Sequence, residues 1–286
     1  MELLRDADFS GGLLLSRMKS SDPDPFGGGV LSFFEPEKEP INRLTQWFSR
    51  ENLADISPVK QDHTILWPGR CKQLAYTAKP GESPKLTLTC NCFEEYGGPV
   101  PSPDFYGWVH MGVHQIFKEE RKLMDLSSLD MQMRLSLLVE DKAGDAPASQ
   151  YTSQFNLCFI LQNRNPESPD FNKIIWNQIC LFDSRYAFPG EYCGVDAGVA
   201  ECSGEFIYTM DSREMLTAPL GDGREVLLQY DWLPEMRLAF DKVQARGGMR
   251  STRFEDLYVT DFSYGFEIYR GILMRLEVSD VHVSAG

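Results

Sequence analysis

Glu267 lies in the segment DFSYGFEIYRG, residues 261–271, in which bulky apolar residues alternate with polar or small ones. An alternation with a period of two is typical of a β-strand whose two faces meet different surroundings. Phe266 and Ile268 are therefore predicted to point into the core, whereas Glu267 and Tyr269 point to the opposite face. A carboxylate in this setting is either an ordinary solvated side chain or a member of a functional site.

Two further segments carry rings and polar groups on the face opposite their apolar one. In FYGWVHMGVHQIF, residues 105–117, the even positions provide a tyrosine, a tryptophan and two histidines. In NKIIWNQICLFDSR, residues 172–185, a tryptophan shares a face with a glutamine. Rings beside polar groups suit the C–H faces and hydroxyls of sugars. The alternative is a secondary core beneath a covering loop, because large sandwiches often bury both faces of a sheet. The candidate ligand-binding residues are Gln178, Trp176, Trp108, Tyr106, His110, Asn156 and Tyr269.

Neither a metal site nor a cofactor site is predicted. His110 and His114 are four residues apart, which on one strand separates them by about 13 Å, too far for one metal ion. The glycine-rich segments GGLLLS and FGGGVL lack the strand, helix and spacing that a phosphate-binding loop requires. The chain is therefore expected to work without either group.

The charge balance argues against nucleic acid and anionic membranes as partners. The chain has 28 Lys and Arg against 42 Asp and Glu, a formal charge of −14, and no basic stripe that would follow a phosphate backbone. A neutral oligo- or polysaccharide is compatible with this charge. No apolar run approaches the ~20 residues of a membrane span, and the N-terminus lacks a signal-peptide pattern. The default expectation is a cytoplasmic location, with a secreted or periplasmic one left open.

The seven cysteines form no recognisable metal or redox motif. No Cys-x-x-Cys pair is present, and the odd number leaves at least one thiol free. Most of them lie in strand-like segments, where a buried thiol is expected. Cys193 and Cys202 flank a loop and are expected to pair only in an oxidising compartment.

Regularly spaced alternating segments predict an all-β fold. KLTLTCNC (85–92), MQMRLSLLV (131–139) and QFNLCFILQ (154–162) each alternate apolar and polar residues, and turn-rich clusters separate them. This pattern predicts an antiparallel β-sandwich of half-buried strands. The last segment, ILMRLEVSDVHV, changes phase near Ser279 or Asp280, which predicts a β-bulge there.

One helix is predicted near residues 231–246, within YDWLPEMRLAFDKVQARGG. Its apolar stripe consists of Leu233, Met236, Phe240 and Val243. Asp231 is the predicted N-cap, Pro234 fits the first turn, and Gly247 supplies the stop.

The N-terminal sixty residues are expected to be an irregular segment packed on a single β-sandwich domain spanning residues 1–286. The stretch EPINRLTQWFSRENLADI, residues 39–56, is a candidate for a short helix with Leu44, Trp47 and Phe48 on one face.

The order of helix, LYVTDFSYGFEIYRG and closing strand resembles the C-terminal third of the family 12 glycoside hydrolases. These are endoglucanases and xyloglucanases with a concanavalin-like jelly roll. In that family a Gly-x-Glu motif on the strand after the single helix carries the general acid/base. GFE at residues 265–267 matches the motif, and Gly271 matches a glycine that follows it. The resemblance covers residues 154–283 and implies a jelly roll in which Glu267 is the catalytic acid/base.

The resemblance departs from the family at the nucleophile. The corresponding segment, NQICLF (177–182), places Gln178 where the family has a glutamate. Retaining hydrolysis requires two carboxyl groups about 5–5.5 Å apart, and an amide cannot attack the anomeric carbon. Asp183 and Glu205 are nearby carboxylates, but neither falls on the motif.

Three functions therefore stay open. The first is a carbohydrate-binding protein related to glucanases that lacks standard retaining hydrolysis. The second is an active glycoside hydrolase in which Glu267 is the acid and Asp183 or Glu205 is a non-standard second carboxylate. The third is a structural or interaction protein, and the sequence leaves its oligomeric state unknown.

Overall fold

The computed structural model describes residues 1–19, 26–35, 37–103, 107–147, 149–197 and 202–286. The strands of the first half are β1 (Leu13–Leu15), β2 (Gly29–Leu31), β3 (Asn42–Thr45), β4 (Val59–Gln61), β5 (Thr64–Pro68), β6 (Lys72–Thr77), β7 (Lys85–Asn91) and β8 (Val109–Lys122). The strands of the second half are β9 (Leu129–Asp141), β10 (Ser153–Asn163), β11 (Ile174–Asp183), β12 (Tyr192–Val195), β13 (Phe206–Met210), β14 (Asp222–Asp231), β15 (Leu257–Ile268) and β16 (Ile272–Ala285). The α-helices within the described residues are α1 (Cys92–Tyr96) and α2 (Leu233–Ala245).

These strands form a β-sandwich of the jelly-roll class, which confirms the predicted fold. The order of the nine-stranded sheet is β12-β13-β11-β10-β15-β8-β3-β1-β2, and that of the seven-stranded sheet is β14-β9-β16-β7-β6-β5-β4. Among the paired strands described, β1–β3 and β11–β13 are parallel and the others are antiparallel. Most neighbouring strands of the nine-stranded sheet are not consecutive in the sequence, so its outer face is assembled from separate parts of the chain.

The core lies between the two sheets and takes the apolar positions of each alternating strand. The fully buried phenylalanines of β10 and β15 are Phe155, Phe159, Phe262 and Phe266. Cys90 Sγ on β7 lies 3.5 Å from Met111 Sδ on β8, so the two sheets are in contact there. The side chains between these positions point away from the core, onto what we call the outer face of the nine-stranded sheet.

The predicted helix is confirmed as α2, with a different N-cap. The helix begins at Leu233, and Trp232 rather than Asp231 occupies the N-cap position. Asp231 is instead the last residue of β14, but its Oδ1 still accepts from Leu233 N at 3.1 Å. Gly247, with φ of 83°, follows the helix as predicted.

The predicted bulge in the closing strand is confirmed. The pairing of β16 with β9 changes register between Ser279 and His282, and Asp280 has a φ of 50°. The extra residue brings Val281 and Val283 back to the core side, where both are buried.

The short helix predicted within residues 39–56 is wrong. Residues 42–45 form β3, which pairs with β8 and β1, and a single 3-10 turn follows at Leu53–Asp55. Burial in this segment alternates, with Leu44 fully buried between partly exposed neighbours, so the period is two. The N-terminal segment therefore contributes short strands to the edge of the nine-stranded sheet.

All seven cysteines are unpaired, including Cys193 and Cys202. Of the helices within the described ranges, none is long and apolar enough to cross a membrane.

Candidate functional site

Glu267 lies in a row of polar side chains that crosses four strands of the outer face. On β15 it pairs with His110 of β8 on one side and with Gln154 of β10 on the other. Gln154 in turn pairs with Asp183 of β11. His110, Glu267 and Gln154 are partly exposed, whereas Asp183 is 3% exposed. We call these four residues the Glu267 row.

The next row of the sheet gives this site a floor without bulky side chains. Gly265 of β15 pairs with Gly112 of β8 and with Asn156 of β10. The two glycines approach so closely that a Cβ on Gly265 would lie 2.3 Å from Gly112 Cα. Asn156 is 8% exposed, and its Oδ1 is buried without a hydrogen-bond partner among the described residues. The glycine of the Gly-x-Glu motif thus permits close contact between β15 and β8 next to Glu267.

A group of aromatic rings borders the Glu267 row. Tyr269 stacks on Trp108, with centroids 6.0 Å apart and planes at 15°, and on Tyr151, also at 6.0 Å and at 27°. Tyr96 meets Tyr269 edge-on, and its hydroxyl donates to Ile268 O at 2.7 Å. Trp108, Tyr151 and Tyr269, which we call the aromatic group, are partly exposed. Each ring restrains the next, so the group is a preformed surface beside the carboxylate.

Two other rings close the opposite side of the row, over His110. The Trp47 and Phe48 rings lie 5.5 Å and 6.1 Å from the imidazole. The His110 backbone N–H also donates to Trp47 O at 3.0 Å. Burial lowers the pKa of His110, while the Glu267 carboxylate acts in the opposite direction. The imidazole is therefore neutral at pH 7 and offers one donor and one acceptor.

Asp183, at the far end of the row, is held by a dense set of donors. Its carboxylate accepts from Arg185 Nε at 2.9 Å, Arg185 Nη2 at 2.7 Å and Gln154 Nε2 at 2.7 Å. It also accepts from Arg185 N and from Thr152 Oγ1. Burial acts to raise the pKa of Asp183, but the hydrogen bonds from Arg185 and Gln154 outweigh it and the pKa is lowered. This carboxylate is ionised at neutral pH and its oxygens are engaged.

Two of the predicted ligand-binding residues lie far from Glu267. Gln178 pairs with Cys158, which pairs with Ser263, four residues before Glu267 on β15. Gln178 is therefore two strands away and about 13 Å further along the sheet. Trp176 lies two residue pairs beyond it, opposite Ile160. The β11 residue in line with Glu267 is thus Asp183 rather than Gln178.

The structure brings the other predicted residues together around Glu267, where it describes them. His110 belongs to the Glu267 row, Asn156 to its floor, and Trp108 and Tyr269 to the aromatic group beside it. Tyr106 lies outside the described residues. Glu205, the other candidate second carboxylate, is near the start of β13, where its Oε2 accepts from Ile174 N at 3.4 Å.

Sequence reasoning missed four contributors to the site. The spacing of Trp47 and Phe48 predicts a helix rather than the observed turn, and Tyr151 lies in a turn-rich stretch with no periodic pattern. Gln154 had a usable signal, because it alternates with Phe155 on a predicted strand and faces the same side as Asn156.

A cavity of about 440 Å³ is lined in part by Asp183, and Glu267 is not among its lining residues. Its lining includes Phe182, Arg185, Tyr186 and Leu220. Within the described residues, no three His, Cys, Asp or Glu side chains converge as a metal site.

No protein-family model and no curated protein matches the sequence. Solved structures do match, among them a family 12 xyloglucanase from Bacillus licheniformis in complex with ligand, at 12% identity and a TM-score of 0.42 over 80% of this chain and 97% of that one. An endoglucanase from Rhodothermus marinus matches at 13% identity and a TM-score of 0.38, over 80% of this chain and 98% of that one. A family 11 xylanase from Neocallimastix patriciarum matches at 9% identity and a TM-score of 0.41, over 86% of this chain and 100% of that one. Identities and TM-scores this low do not bear on what this chain binds or catalyses.

Proposed function

We propose that the outer face beside Glu267 binds an oligo- or polysaccharide and that the chain lacks standard retaining hydrolysis. The observation that carries the proposal is the Glu267 row with the aromatic group on its border. Sugar hydroxyls need both donors and acceptors, which the neutral His110, Glu267 and Gln154 supply. Sugar C–H faces pack on aromatic rings, which the aromatic group supplies.

The charges of the site favour a neutral saccharide over an acidic one. Glu267 and Asp183 are the carboxylates of the row, and His110 adds no positive charge at neutral pH. The guanidinium of Arg185 already pairs with Asp183 at 2.7 Å. An anionic ligand would meet an uncompensated carboxylate in a chain whose formal charge is −14.

The neighbours of Glu267 argue against the retaining mechanism. A retaining hydrolase needs a second carboxyl group about 5–5.5 Å away. The direct cross-strand neighbours of Glu267 are an imidazole and an amide. Asp183 is two strand spacings away, about 9.5 Å, and its oxygens are occupied by Arg185, Gln154 and Thr152.

Replacing Trp108 with alanine should weaken saccharide binding at least about tenfold, because the stacked surface beside Glu267 is lost. Titration calorimetry with cello- and xyloglucan oligosaccharides measures the affinity. Phe171→Ala is the control, since Phe171 is 44% exposed in the loop before β11, away from the aromatic group. The proposal fails if the folded wild type binds no member of the panel, or if both variants bind like the wild type.

An inverting hydrolase is the second candidate, because Glu267 and Asp183 share one row. Their backbones are about 9.5 Å apart, a separation across which two side chains can place their carboxyl groups ~6.5–9.5 Å apart, as inverting enzymes do. Because the carboxylate oxygens of Asp183 already accept hydrogen bonds from Arg185, Gln154 and Thr152, we expect no hydrolysis. Reducing-sugar release from xyloglucan should therefore be the same for wild type and Glu267→Gln. A wild-type rate that falls about 100-fold or more in Glu267→Gln would establish the hydrolase instead.

A further inference from the structure

The Trp47–Phe48 turn, which covers His110, contains a strained residue. Phe48 has a φ of 57°, in the left-handed region that bulky side chains rarely adopt. Its ring lies over Gly107, where an added Cβ would come within 2.3 Å of the ring. A conformation of this kind persists only where surrounding contacts hold it.

A buried carboxylate provides those contacts. Glu95 of α1 is 1% exposed, and its Oε2 accepts from Ser49 Oγ at 3.0 Å. Its Oε1 accepts from Arg50 N. Both donors lie directly after Phe48, so the two hydrogen bonds to the Glu95 side chain hold the exit of the turn in place.

The entry of the turn is held by a second buried charged group. Lys72 is 1% exposed, and its Nζ donates to Gln46 Oε1 at 3.2 Å. Gln46 directly precedes Trp47, and its Nε2 donates to Ser16 O at 2.9 Å. The turn is thus anchored on both sides by side chains that never reach the site.

We infer that Glu95 is a positioning residue for the saccharide site, because it fixes the strained turn that packs Trp47 and Phe48 onto His110. This inference rests on the proposed function for its effect on ligand binding, but the position of the turn can be measured without a ligand. Loss of one Glu95 carboxylate oxygen leaves either Ser49 Oγ or Arg50 N without its acceptor, lets Phe48 relax, and uncovers the imidazole beside Glu267.

The test compares Glu95→Gln and Ser49→Ala with Glu94→Gln. Glu94 is the neighbouring residue of α1, and its carboxylate pairs with Arg70 rather than with the turn. Histidine NMR titration is the first readout. We expect the pKa of His110 to rise toward its ordinary value in Glu95→Gln, and less so in Ser49→Ala, because the covering rings move away. Glu267, the carboxylate beside His110, is unchanged in all three variants.

Saccharide affinity is the second readout, with an expected loss of about tenfold in Glu95→Gln and none in Glu94→Gln. An unchanged His110 titration in folded Glu95→Gln and Ser49→Ala overturns the inference. If the His110 pKa changes in Glu95→Gln but the wild type binds no saccharide, Glu95 remains the anchor of the turn and the proposed function is rejected. If Glu95→Gln does not fold, Ser49→Ala, which removes only one hydroxyl, decides the outcome.

Discussion

Replacing Gly265 with alanine is expected to destabilise the protein by about 3 kcal/mol or more, because the new methyl group has no room. Its Cβ would lie 2.3 Å from Gly112 Cα and 2.7 Å from Met111 O. Both atoms belong to the backbone of β8, so no side-chain rotation relieves the contact. The strand pair β8–β15 would have to separate at the row next to Glu267.

Two other glycines provide graded controls. A Cβ on Gly112 would meet Tyr264 O at 3.0 Å and Gly265 Cα at 3.2 Å, so Gly112→Ala should cost about 1 kcal/mol. Gly98 has open space around its Cβ position, so Gly98→Ala should be nearly neutral. Urea unfolding gives the three free energies. Equal stability of the Gly265 and Gly98 variants would contradict the close contact.

The short contact at Gly265 also explains what the glycine of the Gly-x-Glu motif indicates about this fold. A glycine in the interior of a strand marks a close approach of two backbones. Here the approach keeps β8 and β15 together at the row next to Glu267. The motif was readable from the sequence, whereas its partner glycine on β8 was identifiable only from the pairing.

The strands and the long helix could be predicted because each of them alternates or repeats within its own segment. The period-two patterns of β9, β10 and β15 and the apolar stripe of α2 are local properties. Register between strands is not local. The segment around Gln178 suggests a ligand-binding role by itself, and only the pairing through β10 places Gln178 about 13 Å along the sheet from Glu267.

A bulge decides which β11 residue enters the Glu267 row. Asn156 pairs with Cys180, but the preceding residue, Phe155, pairs with Phe182, so Leu181 is the extra residue. Regular pairing from Asn156 would have matched Gln154 with Phe182. The extra residue instead matches it with Asp183, which changes the chemistry of the row. Nothing in the alternation of NQICLFD reveals this irregularity.

The Trp47–Phe48 turn was beyond sequence reasoning for a different reason. Leu44, Trp47 and Phe48 have helical spacing, and that spacing favoured a helix. The observed turn is held by Glu95, which lies 45 residues after Arg50 in the sequence. Tertiary contacts of this kind override local propensity, and no pattern within residues 39–56 reports them.

Replacing Asp183 with alanine should cost about 3 kcal/mol, since it leaves the donors of Arg185, Gln154 and Thr152 without their acceptor. The side chain of Asp183 is 2% exposed and that of Arg185 is 33% exposed, so solvent compensates the arginine only in part. The matched controls are Asp211→Asn and Asp211→Ala. Asp211 forms the same Asp-x-Arg turn with Arg213, but its pair is 34% and 61% exposed and is expected to contribute less than about 1 kcal/mol.

The pH dependence separates the charge of Asp183 from its packing. The folded-state pKa of Asp183 is lowered, so the unfolded chain binds more protons and stability falls on acidification. The contribution of the carboxylate is therefore complete above its unfolded pKa of about 3.9 and is lost as pH drops through the lower folded value. Unfolding free energies of wild type and Asp183→Asn should differ most above about pH 5 and converge below pH ~4. If the difference in unfolding free energy between wild type and Asp183→Asn does not depend on pH, Asp183 stabilises the end of the Glu267 row by its shape alone. Packing would then hold Gln154 beside Glu267, rather than the hydrogen bond that its Nε2 donates to the Asp183 carboxylate.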